Sequence, residues 1–258
     1  MIVENRPGAS GMIGTSTVVK GPKDGSNLVF ASVSLVTAAA VSRNVPFDIS
    51  KDLVPVAITG EGPLLIVVPS QSPIKTPADL VAAARAKPLT HGSAGVGTIV
   101  HLAAELLNGA AKTQFQHIPY KGAAPAVTDT IGGTLDVMFA ANTTFSAQIA
   151  SGRMRTVAVT SAQPSPAFPN VPTMASVVPG YSATLWNVLF APAGTPPQLL
   201  QILNREVNEI SKSKDMVDLM QMDGFVPKNL TLEQASKQVH DAYTTWKALA
   251  KERNISLD

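Results

Sequence analysis

The stretch His117-Ile118-Pro119-Tyr120-Lys121-Gly122-Ala123-Ala124-Pro125-Ala126 reads as a short strand, a small-residue turn and a helix start with almost no side chain over it. Such a turn leaves the first helical amides uncovered, where their N–H groups and the helix dipole favour an anion. Pro125 falls in the first turn of a helix spanning 123–131, where its missing N–H leaves no helical bond unmade, and Gly132-Gly133 marks the end. A second turn of this kind, Thr90-His91-Gly92-Ser93-Ala94-Gly95-Val96-Gly97-Thr98, opens a helix over 99–107. Two glycine-softened helix starts in one chain suggest a pocket lined by main-chain amides for a small carboxylate. Plainer readings stay open beside this one. Gly92, Gly95 and Gly97 equally suit a tight strand-to-helix turn. Tyr120 suits a rim aromatic with a wet hydroxyl, Lys121 a solvated charge, and Trp186 plain core.

Catalytic motifs are near-misses. Gly8-Ala9-Ser10-Gly11-Met12 lacks the last glycine of a nucleophile elbow. Ser72-Pro73-Ile74-Lys75 fits S-x-x-K, but its prolines place it in a loop, and Lys75-Thr76-Pro77 is not K-T-G. Gly95-Val96-Gly97 has no third glycine for a dinucleotide fingerprint, and no G-K-[ST] exists for a P-loop. The histidines, His91, His101, His117 and His240, show no i, i+4 pair and read as surface or partly buried polar residues. Cysteine is absent, which removes disulfides, thiolate catalysis and Cys-type metal sites. These residues imply no catalytic group, no metal site and no cofactor.

Composition narrows the partners. With 258 residues, 45% hydrophobic and 15% charged, the chain suits one or two globular domains. A net charge of +2, from 20 basic and 18 acidic residues without basic runs, does not suggest nucleic acid or an anionic membrane surface. The longest aliphatic run, 64–68, is far short of a spanning helix, and the first six residues contain no apolar signal-peptide core.

The elements that position the two turns alternate between strand and helix. Residues 10–19 suit a helix, and 27–33, 54–59 and 64–69 suit strands. Thr76, Pro77 and Asp79 predict a well-capped helix start. Thr195-Pro196-Pro197-Gln198 predicts a capping box before a helix over 199–212, and Thr231 to Gln234 another before the last helix. There Leu232, Ala235, Val239, Ala242, Trp246 and Leu249 form one apolar stripe. The alternation predicts α/β layering with largely parallel sheets.

A resemblance runs the length of the chain. Val3-Glu4-Asn5-Arg6-Pro7-Gly8-Ala9-Ser10-Gly11 with Ile13-Gly14, then Lys23-Asp24-Gly25, resembles the signature of the Bug/TctC-type extracytoplasmic solute receptors of tripartite tricarboxylate transporters. Pro119 to Ala126, Gly132-Gly133, Asp136 to Phe139, Ser151-Gly152-Arg153-Met154-Arg155, Val171-Pro172-Thr173, Trp186 and Ala191 to Pro196 continue it in order. The resemblance implies a type II periplasmic-binding-protein fold, two α/β lobes joined by crossing strands with a ligand cleft between them. Lobe 1 would comprise 1–66 and 188–258, and lobe 2 would comprise 67–187. The implied ligand contacts are Ser93, Ala94, Gly95, Gly97 and Thr98 from one turn, and Tyr120, Lys121, Gly122 and Ala123 from the other. Ser32, Ser34 and Asn142 are added by position.

The implied function is periplasmic, non-catalytic capture of a di- or tricarboxylate, acidic amino acid or aromatic acid. The partners implied are that ligand and the membrane permease subunits, with no nucleic acid, no membrane insertion and a monomeric chain. Alternatives are a ligand sensor for a signalling partner, or an α/β enzyme acting on a carboxylate. Relatives normally carry a strand, a glycine loop and a helix before Glu4-Asn5-Arg6-Pro7-Gly8, so this chain is expected to lack that N-terminal segment. Restoring it is expected to tighten ligand binding.

Overall fold

The structure, a computed structural model, describes residues 2–6 and 8–256. The elements begin with α1 (Met12–Val19), β1 (Val29–Ser32), α2 (Val33–Val41), β2 (Leu53–Pro63) and β3 (Leu65–Pro69). The middle alternates strictly: α3 (Pro77–Ala86), β4 (Leu89–Ser93), α4 (Ile99–Ala111), β5 (Phe115–Pro119), α5 (Ala123–Ile131), β6 (Val137–Ala140), α6 (Asn142–Ala150) and β7 (Met154–Val159). The chain continues through β8 (Thr184–Pro192), α7 (Pro197–Ser211), α8 (Lys214–Gln221), β9 (Val226–Pro227) and α9 (Leu232–Arg253).

Two compact units form. The first is Met1–Glu61, Trp186–Asp218 and Val226–Asp258; the second is Gly62–Leu185 with Leu219–Phe225. The chain changes unit inside β2 and again inside β8. In the first unit a four-stranded sheet runs β1-β8-β2-β9, with β1 antiparallel to β8 and β2 antiparallel to β9. In the second a five-stranded sheet runs β5-β4-β6-β3-β7. Here β4 is parallel to β5 and β6, whereas β3 is antiparallel to β6 and β7. Largely parallel sheets were expected; the second unit's sheet is mixed, with β4 parallel to β5 and β6 and the pairings of β3 antiparallel. The parallel neighbours β4 and β5 are joined through α4, the crossover connection that such pairing requires.

The second unit buries every residue of β3 and β6, the continuous apolar pattern of strands covered on both faces. One face packs Leu65, Val67, Met138 and Ala140 against Ala126 of α5 and Phe145 of α6. In the first unit α9 buries Ala235, Val239, Trp246 and Leu249.

The caps show where local sequence suffices. Thr76 and Asp79 form a capping box at α3, and Thr231 and Gln234 form one at α9. The box expected at Thr195 does not form. Pro196 is the N-cap of α7 without a side-chain cap bond, and the Thr195 hydroxyl donates to Pro192 O at 2.8 Å. Proline at 196 and 197 supplies no N–H, so the first turn has few donors for a cap to satisfy. The strand expected over 27–33 ends at Ser32, which caps α2 by accepting from Ser34 N at 3.3 Å. All of α2 except Ser34 is buried. A helix enclosed on every side shows no amphipathic period in its sequence.

Candidate functional site

Strands β4 and β5 run parallel with Ser93 opposite Pro119, so both helix-opening turns leave the same, carboxyl-terminal edge of the sheet. Tyr120 N donates to Ser93 O at 2.9 Å and ties one turn to the other. Open α/β sheets offer ligands the crevice beyond this edge.

The α5 turn is bare. Its N-cap, Gly122, has φ 109° and no side-chain cap bond. The main-chain N–H groups of Lys121, Gly122, Ala123 and Ala124 have no hydrogen-bond partner among the described residues. A Cβ built on Gly122 meets nothing within 4 Å, so the space above these amides is open. Lys121 is exposed beside them. Tyr120 departs from a wet rim aromatic, because its hydroxyl donates to Asp129 Oδ2 at 2.6 Å. That bond, with some burial, pushes the phenol up to about 12.

The α4 turn is more internally braced. Buried Ser93 Oγ accepts from Gly95 N at 3.1 Å, lies 2.9 Å from Gly95 O and 2.5 Å from His117 Nε2. Gly97 N donates to His101 Nδ1 at 3.2 Å, and Thr98 Oγ1 accepts from His101 N at 3.4 Å while donating to Gly95 O at 2.9 Å. The Gly95 and Gly97 amides therefore serve the loop itself. The N–H groups of Ala94, Val96 and Thr98 have no partner among the described residues. A Cβ at Gly95, φ +140°, also meets nothing within 4 Å.

A third helix, α6, starts at the same edge after β6, and its N-terminus is already filled. Asp223 Oδ1 accepts from Thr143 N at 2.6 Å, and its Oδ2 accepts from the Thr143 hydroxyl at 3.1 Å. Asn142 directs its side-chain N–H to Met222 O at 2.6 Å. The protein thus holds one of its own carboxylates on a helix-start amide at this edge. Nothing local in the sequence pairs Asp223 with Thr143, which lie 80 residues apart.

Ser32 and Ser34 sit in the other compact unit, at the start of α2. Arg153, beyond the C-terminal end of α6, binds Ser151 Oγ and Gln148, so nine residues of helix separate it from this edge.

Three histidines read as surface or partly buried meet beneath the α4 turn. His91 is 0% exposed and His101 6%. The rings of His101 and His117 stack with centroids 3.9 Å apart, and His91 lies 4.9 Å from His117. Register explains it: His91 pairs with His117 across β4 and β5, and α4 lays His101 on that face. Burial, then the charge of His117, holds His101 down at about 3, and burial holds His117 at about 4. Burial, then the charges of His117 and His101, pushes His91 well below its ordinary value. Among the described residues, no group of three or more His, Asp or Glu is placed to hold a metal ion.

The family model described as tripartite tricarboxylate transporter family receptor matches residues 1–255. The chain belongs to this family of solute-binding receptors. Protein BugT of Bordetella pertussis is 32% identical over 262 residues, covering 100% of this receptor and 80% of BugT. The solved structure of R. palustris Rpa4515 with adipate superposes with TM-score 0.88 at 29% identity, covering 99% of this chain and 87% of that one. The periplasmic binding protein BugD follows at TM-score 0.85 and 26% identity, covering 99% and 87%. The receptor accordingly has the type II periplasmic-binding-protein fold expected from its resemblance. Within the described residues, no helix is long and apolar enough to cross a membrane.

Proposed function

We propose that this receptor captures a small carboxylate in the periplasm and delivers it to the permease subunits of a tripartite tricarboxylate-type transporter. The observation that carries the reading is the pair of adjoining turns, 93–98 and 120–124, whose open amides face no side chain of their own. A carboxylate accepts two or more charge-assisted N–H bonds, and a helix start supplies them without a cation. The Asp223 carboxylate on Thr143 N shows the same chemistry at the same edge.

In this reading Ala94, Thr98, Gly122 and Ala123 donate main-chain N–H groups, and Lys121 adds charge at the rim. Ser93, Gly95, Gly97 and Tyr120 shape the turns. Asn142 offers its remaining amide oxygen. The adipate named with Rpa4515 makes linear dicarboxylates the first class to try. No side-chain nucleophile, metal or cofactor takes part.

A thermal-shift panel of dicarboxylates, tricarboxylates, acidic amino acids and aromatic acids tests the proposal. A ligand that binds only the native state raises the melting temperature. At least one acid is expected to do so, with calorimetry confirming one site per chain. A panel in which no acid shifts the transition overturns the proposal.

A further inference from the structure

The three stacked histidines lie directly under the α4 turn and reach it through two bonds, Gly97 N–H to His101 Nδ1 at 3.2 Å and the 2.5 Å contact of His117 Nε2 with Ser93 Oγ. We propose that His101 and His117 are positioning residues for the amide loop 93–98, and that protonating the stack opens this loop, so that the hold on carboxylate weakens as the medium acidifies. The part concerning release rests on the proposed carboxylate site; the opening of the loop does not.

The geometry requires a neutral stack. A protonated Nδ1 on His101 cannot accept the Gly97 N–H, which breaks the bond fixing the second glycine of the turn. His101 also sits in the first turn of α4, where the helix dipole disfavours a cation. Rings 3.9 Å apart cannot both be charged without strong repulsion. His91 adds to the constraint, since neither of its buried ring nitrogens has a hydrogen-bond partner among the described residues to disperse a charge.

The surroundings offer no counter-charge. Phe115 of β5 and Phe139 of β6 pack on His91 with centroids 6.4 and 5.9 Å away. Tyr181, packed on α4, donates its hydroxyl to Ala103 O. The packed elements carry the acidic groups Glu105 on α4 and Asp136 before β6. Asp136 accepts from Thr90 N and Thr90 Oγ1, and neither acid shifts the titration of any ring. Burial and the rings themselves set the behaviour of the stack. It therefore reads as a proton-sensitive prop under the loop.

The test is hydrogen–deuterium exchange on the full chain at about pH 7 and about pH 5, expressed as protection factors so that intrinsic exchange cancels. One ring released from about 3 to its ordinary 6.5 allows up to about a thirtyfold change in opening at about pH 5. The Gly95 and Gly97 amides, the two bonded within the loop, are expected to lose protection by about tenfold or more, while those of α9 change little. His101→Asn keeps an acceptor for Gly97 N–H and does not titrate, so with only His117 left to respond its loop is expected to change by about threefold.

Should that variant fold poorly, His117→Gln, which removes the stacked charge, is expected to halve the response on a logarithmic scale. Unchanged loop protection in the wild-type chain, or an identical pH response in the folded variant, overturns the proposal. Adipate affinity is followed in parallel by calorimetry, and the probe's own titration cancels between wild type and variant. If the loop opens as expected while adipate binding is absent or insensitive to it, the carboxylate site at this loop is wrong and the prop stands.

Discussion

Gly122→Val should separate the amide site from the fold that carries it. Gly122 caps α5 at φ +109° with nothing within 4 Å of a built Cβ, so a branched side chain finds room but covers the open amides of Gly122, Ala123 and Ala124. The backbone conformation costs about 1–3 kcal/mol for a non-glycine residue, which lowers the melting temperature without preventing folding. A carboxylate held by two of these amides loses two charge-assisted bonds of about 1.5–3 kcal/mol each. The sum, about 3–6 kcal/mol, weakens binding by a factor of about 10² to 10⁴.

Gly180→Val is the control. It too has a positive φ, +82°, with nothing within 4 Å of a built Cβ, in the turn closed by Tyr181 N–H to Val178 O. Calorimetry on wild type and both variants, with the acid giving the largest thermal shift, reads the difference. Affinity within about threefold of wild type in Gly122→Val, alongside the same melting-temperature loss as the control, would refute an amide site at α5.

Further expectations follow from single contacts. Tyr120→Phe removes the 2.6 Å bond to Asp129 and should cost about 1 kcal/mol in denaturant unfolding, with ligand affinity nearly unchanged. A large loss of affinity would instead make the hydroxyl a ligand group. Asp223→Ala leaves Thr143 N and its hydroxyl without their acceptor and should cost about 1–2 kcal/mol, seen as faster amide exchange in the first turn of α6. Thr231→Ala should cost about 1 kcal/mol and fray the start of α9, whereas Thr195→Ala should leave exchange at the start of α7 unchanged. Stability should also fall on acidification. The folded His101 titrates near 3, below its ordinary 6.5, so the unfolded chain binds the extra proton. Stability is complete above about pH 6.5 and declines toward pH 3, with a limiting slope of about 1.4 kcal/mol per pH unit for this ring. A flat denaturation midpoint across that range would contradict the buried neutral stack.

The family and the two bare helix starts were legible in the amino-acid order because both are carried by contiguous residues. Gly122-Ala123-Ala124-Pro125 sets its own turn whatever surrounds it, and Thr76 with Asp79 or Thr231 with Gln234 closes a cap within three residues. The α2 helix escaped because its enclosure erased the polar face that marks a helix, and Thr195 misled because two prolines removed the donors a cap satisfies. The engagement of Gly95 and Gly97 within their own turn, the Asp223–Thr143 contact and the histidine stack belong to tertiary structure alone. Strand register put His91 beside His117, and a helix ten residues further on from His91 laid His101 over them. Local sequence encodes which amides a turn leaves uncovered. Only the packing of distant segments decides which of those amides the protein then uses for itself.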